Sequence, residues 1–176
     1  MRSTLTLALA SLAGCASTGS SAADHVQDVH VEGLPTIRIR GTDTQASAAT
    51  LPYPIARVWA VLPSVLDSLG VPIADMDAAH HLVGNSALKI RQRLGKTPLS
   101  RYLDCGATQG FPSADTYDIQ LSVLSQLEAD PTGSTKIGTF VQAVGRPGFG
   151  GESINCSSKT TLERLVADQV LARLQR

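Results

Sequence analysis

The chain has 176 residues, fifteen of them Lys or Arg and fifteen Asp or Glu, with 43% hydrophobic and 17% charged residues. That composition excludes disorder throughout, and zero net charge argues against a nucleic-acid binder, which needs a large phosphate-neutralising surface. Three cysteines are too few for a disulfide scaffold or a four-thiolate zinc site, and 4% aromatic residues leave the core to Val, Leu, Ile and Ala.

The chain opens MRSTLTLALASLAGC. Arg2 is a short basic start, and Leu5 to Ala13 is an apolar stretch of leader length, too short to span a bilayer. It ends in Leu12-Ala13-Gly14-Cys15, which resembles the lipobox of bacterial lipoproteins. The resemblance implies that residues 1–14 are a signal peptide and that Cys15 becomes the diacylated first residue of the mature chain. The alternative is an ordinary cleaved leader in which Cys15 is incidental. Ala16 follows the cysteine, rather than the Asp of inner-membrane retention signals, so the family rule implies an outer membrane, with the protein facing the periplasm. In a cell without an outer membrane, the implied address is the cell membrane.

Residues 15–33 read as the lipidated cysteine and a flexible tether, ASTGSSAADHVQDVHVEG after Cys15. The first half is small and polar, and Asp24, Asp28 and Glu32 meet no Lys or Arg. Eighteen flexible residues have a mean reach of roughly 20–25 Å.

Residues 34–176 read as one α+β domain. Pro35 to Arg40 alternates with period two and predicts a strand, Gly41-Thr42-Asp43 a turn, and residues 45–51 the returning strand. Pro54 to Leu69 predicts a helix, with Ile55, Val58, Trp59, Leu62, Leu66 and Leu69 on its buried face and Gly70 at its C-terminal cap. Pro63 falls inside the pattern, so a kink or a split near Ala60 is expected. Val71 to Met76 reads as extended, then a turn over Asp77–His81, then a strand over His81 to Leu94. In that strand Ser86, Leu88, Ile90, Gln92 and Leu94 face one way, and Ala87, Lys89, Arg91 and Arg93 the other. Gly95 to Gly110 reads as irregular. Tyr117 to Leu127 and Lys136 to Val144 alternate as a long hairpin around Asp130-Pro131-Thr132-Gly133. A glycine-rich loop over Gly145–Gly151 leads to a second amphipathic helix, Ser158–Leu174, where Thr160 and Glu163 have capping-box spacing.

An antiparallel sheet with one apolar face needs amphipathic helices to cover it. The expected architecture is therefore a sheet covered by a kinked N-terminal helix and a long C-terminal helix. Pro54, Val58-Trp59, Leu62 and Leu69-Gly70, followed by an acidic strand with Asp75 and Asp77, resemble the opening of helix-grip domains. They are similar also to the domains of BamC, a lipoprotein of the β-barrel assembly machinery. The similarity spans roughly residues 51–84, and this chain has one such unit where BamC has two.

No catalytic constellation emerges. Gly145-Arg146-Pro147-Gly148-Phe149-Gly150-Gly151 lacks the Lys-Ser/Thr of a phosphate loop. Ser86-Ala87-Leu88-Lys89 falls on a predicted strand, where residues three apart face opposite ways. His80 and His81 are adjacent, so a shared metal is disfavoured, and no metal or cofactor is expected. Cys105 and Cys156 are the two cysteines left in an exported chain, and such a pair is expected to bond, closing about 51 residues at roughly 4 kcal/mol in the chain-entropy model. The alternative for Cys105 is a thiol paired with a histidine. Lys89, Arg91 and Arg93, with Arg38 and Arg40 on another strand, mark a cationic face for an anionic partner, or else a solvated sheet surface. The expected function is a non-enzymatic, lipid-anchored interaction or assembly module, which binds the membrane through its anchor and contacts an envelope protein or anionic surface. The alternative is a helix-grip receptor for a small apolar ligand.

Overall fold

The structure, a computed structural model, describes residues 48–176 and, upstream of them, the two strands 25–29 and 37–41. The expected leader, Cys15 and the first part of the tether lie outside the described residues. Strand β1 (His25–Val29) pairs antiparallel with β2 (Ile37–Gly41), with His25 opposite Gly41 and Val29 opposite Ile37. The second half of the expected tether therefore contains a strand, and β2 finds its partner upstream rather than in residues 45–51.

The rest runs β3 (Ala48–Leu51), α1 (Ile55–Ser68), β4 (Asp75–Asp77), β5 (Leu82–Arg91), β6 (Arg93–Leu94) and β7 (Thr97–Pro98). Then come β8 (Leu103–Asp104), β9 (Ala107–Thr108), β10 (Phe111–Pro112), β11 (Asp118–Ala129), β12 (Thr135–Arg146), β13 (Ile154–Ser158) and α2 (Thr161–Leu174). Two single 3-10 turns, Leu99–Arg101 and Ser113–Asp115, interrupt the irregular middle. Seven strands form one antiparallel sheet in the order β4-β5-β11-β12-β13-β8, with β3 also on β12. The fold is α+β: helices α1 and α2 cover one face of this sheet.

Helix α1 starts after Pro54, whose φ of −66° its ring sets in advance, and ends in a Schellman motif. Val71 N–H donates to the Leu66 carbonyl at 3.0 Å and Gly70 N–H to that of Asp67 at 2.9 Å. Gly70 supplies the left-handed residue the motif needs, at φ +91°. Pro63 does not split the helix, which runs unbroken from Ile55 to Ser68. Val58 and Leu62 before the proline and Val65 and Leu66 after it enter the same core, so packing holds both halves in register.

The central hairpin is as alternation predicts. β11 and β12 pair without a break from Asp118↔Arg146 to Ala129↔Thr135. Ile119, Leu121, Val123, Ser125 and Leu127 are buried on the helix side. Between β5 and β11 the ladder carries a bulge: Ser86 and Ala87 stand opposite Ser122. The extra residue reverses the faces of β5 at that point. Leu88 and Ile90 point to the helices after the bulge, and Val83 and Asn85 before it. The expected long strand ends at Arg91, because Gln92 is left-handed at φ +65° and exposed. Arg93 and Leu94 then pair with Thr97 and Pro98 in a separate small hairpin.

Helix α2 begins at Thr161, three residues later than expected, because 154–158 form β13. The expected capping box is displaced. Thr160 itself is left-handed and makes no side-chain cap, and Ser158 takes its place. The Ser158 hydroxyl donates to Glu163 Oε1 and accepts the Thr160 N–H at 3.0 Å. Leu162, Val166, Val170 and Leu174 face the core.

Candidate functional site

The sheet face opposite the helices carries the candidate site. Lys89 and Arg91 alternate with Leu88 and Ile90 on β5, so burying the apolar pair against the helices leaves the cations outward and exposed. Each row continues across the sheet. Lys89 stands opposite Gln120 on β11, which pairs with Val144 on β12. Arg91 stands opposite Asp118, which in turn pairs with Arg146. Arg91 Nε lies 3.6 Å from Asp118 Oδ1. Both side chains are about 60% exposed, so the pair is worth about 0–1 kcal/mol and leaves the charges available.

The structure therefore brings Lys89, Arg91 and Arg146 onto one exposed face of three neighbouring strands. It separates Arg93, which lies beyond the Gln92 bend and donates to the Lys96 carbonyl at 3.2 Å. Arg38 and Arg40 lie on β2, which pairs with β1 in its own two-stranded sheet. Arg146 was not among the residues singled out from the sequence. The signal was there: the hairpin centred on the Asp130–Ser134 turn sets Arg146 against Asp118, once its alternation is carried two residues further.

The other sequence candidates resolve as structural features. Cys105 and Cys156 form a disulfide, with 4.3 Å between Cα atoms. It joins the end of β8 to β13 beside the pairs Ser157↔Asp104 and Ser158↔Leu103. Asp77 closes the turn between β4 and β5. Its carboxylate accepts from Ala79 N–H at 2.9 Å, His80 N–H at 3.2 Å and His80 Nδ1 at 2.6 Å. These bonds, the His80 side-chain bond foremost, hold Asp77 below the ordinary carboxylate value of 3.8. His81 turns away and meets the Trp59 ring edge-on. Among the described residues no group of three or more His, Cys, Asp or Glu is placed to hold a metal ion. The glycine loop makes a turn in which Gly150 N–H donates to the Pro147 carbonyl at 3.3 Å, leaving Phe149 fully exposed at its tip.

Compared with protein-family models, curated proteins and solved structures, the chain finds no match. No helix among the described residues is long and apolar enough to cross a membrane.

Proposed function

We propose that this chain is a non-catalytic envelope lipoprotein, anchored through Cys15 at the outer membrane and facing the periplasm, whose BamC-like domain docks an anionic envelope partner on its helix-free sheet face. The observation that carries the reading is the contrast between the two sides of the sheet. On the helix side, Val58, Leu62, Val65 and Leu66 of α1 and Leu162, Val166 and Val170 of α2 expose no surface at all. Side chains lining a chamber for a ligand would present surface to it, so the packing weighs against a small-molecule receptor. On the other side Lys89, Arg91 and Arg146 stand in water within three neighbouring strands, the arrangement that steers an anionic partner. Arg93 and the β2 arginines add charge at its margins.

The test separates docking from folding and from the anchor. A clickable fatty acid should label wild type and leave Cys15→Ala unlabelled; equal labelling of the two removes the anchor from the proposal. In the Cys15→Ala chain, Lys89, Arg91 and Arg146 are then replaced together by Gln. The melt should hold within about 0.5 kcal/mol per site, as for surface positions. Retention on the native envelope fraction should fall, and added salt should mimic the loss. Retention unchanged at every salt concentration would mean that the row is a solvated surface and nothing more.

A further inference from the structure

The helix-free face holds two leucines that its own strands do not account for. Leu82 and Leu124 are each 1% exposed, yet neither belongs to the core beneath the helices. Strand parity explains the second fact. Leu124 alternates with the core residues Val123 and Leu127, and Leu82, on the far side of the β5 bulge, alternates with Val83. Within the sheet Leu124 has Gly84 on one side and half-buried Phe140 on the other, while Leu82 stands opposite Gln126. A glycine offers no side-chain wall. A leucine on an open sheet face between such neighbours keeps much of its surface in water, so 1% exposure requires a cover from above.

We propose that the β1–β2 ribbon lies over the Leu82–Leu124–Phe140 row with its apolar face down. The pairing register places Val29, Ile37 and Ile39 on one face of the ribbon, with His25 and Gln27, and Val26, Asp28, Arg38 and Arg40 on the other. An isolated two-stranded ribbon is marginal in water and gains stability by burying such a face. The connection reaches: seven steps from Gly41 to Ala48 extend to about 23–25 Å. Ala48 pairs with Gly138, two residues from Phe140 on the same strand. Crossing from β3 to β5 takes three strand spacings, about 14 Å. Leu82 and Leu124 are closed off within a single chain, so the cover belongs to the chain itself; the residues before His25 are the competing cover, and the ribbon is favoured because its apolar face and its linker both fit. The docked ribbon turns Arg38 and Arg40 outward on the side of Lys89 and Arg91, extending one cationic surface. That last consequence rests on the proposed function, whereas the docking does not.

The test is a cysteine pair in the full chain carrying Cys15→Ser. Ile39→Cys with Phe140→Cys should form a bond within one chain under mild oxidation. It should form about tenfold or more faster than Arg38→Cys with Phe140→Cys, because a fixed contact outdoes the effective concentration given by the linker alone. Gln126→Cys supplies a second position on the same row if Phe140→Cys unfolds the domain. Bonds only between chains overturn the docking. Equal rates for Ile39→Cys and Arg38→Cys, or no bond at either row position, also overturn the docking. None of these results depends on envelope retention, so the docking and the proposed function fail separately.

Discussion

Trp59 is half-buried, and its ring meets His81 edge-on with 5.5 Å between centroids. The helical stripe predicts it beside Leu62 and Leu66, but the stripe has a centre and a rim. Val58, Leu62, Val65 and Leu66 occupy the centre with no exposure, and Ile55, Trp59 and Leu69 pack at the rim. Leu66→Ala should therefore cost about 2–5 kcal/mol in urea unfolding, and Trp59→Ala less than the roughly 3–5 kcal/mol of an enclosed tryptophan. A larger loss at Trp59 than at Leu66 would place the indole in the core after all. Glu163 shows the opposite displacement. Charge and helix position mark it as an exposed cap residue, yet it is 4% exposed, with the Ser158 hydroxyl on one carboxylate oxygen. Its burial follows from the approach of β13 to the first turn of α2, a long-range event that capping-box spacing does not encode.

At the scale of elements, α1 carries the clearest local conflict. A proline inside a helix removes the bond to the carbonyl four residues back, here that of Trp59, and a helix interior pays for it in stability. The core contacts on both sides of Pro63 override that cost. Pro63→Ala should accordingly raise stability, by about 1 kcal/mol or more, with the melting midpoint in urea as the measure; a loss would mean that the ring packs better than the restored bond. Where one face is buried and the other wet, alternation made elements legible. The β11–β12 hairpin and Lys89–Arg91 on β5 follow directly from it. Three features were hidden. The β5 bulge reverses the faces of the strand without changing its composition. Leu124 is buried on the face assigned to solvent, and β13 is a short polar strand whose stability comes from β12 and β8 rather than from its own residues. Arg93 lost its place in the cationic row because Gln92 is left-handed, a conformation that no period predicts.

For the whole molecule, the Cys105–Cys156 bond closes a loop that contains β9 and β10 and the whole of the β11–β12 hairpin. Removing it with Cys105→Ser or Cys156→Ser should cost about 2–5 kcal/mol, and the two single variants should be alike, since either substitution opens the same loop. Calorimetry of both variants checks this, and widely different losses would point to a local role for one cysteine. The bond also has a mechanical consequence. A chain pulled from its N-terminus passes load first through the β1–β2 ribbon, then through β3, four residues paired along the edge of β12, and then through α1. Once tension reaches Cys105 it crosses the sulfur bridge to Cys156 and bypasses the 51-residue span between them. The long hairpin is thereby shielded from the load path. A stretched molecule with the bridge intact should fall short of the reduced one by roughly 170–180 Å of contour length, so the bond acts as a length stop that keeps the central hairpin folded while the periphery yields.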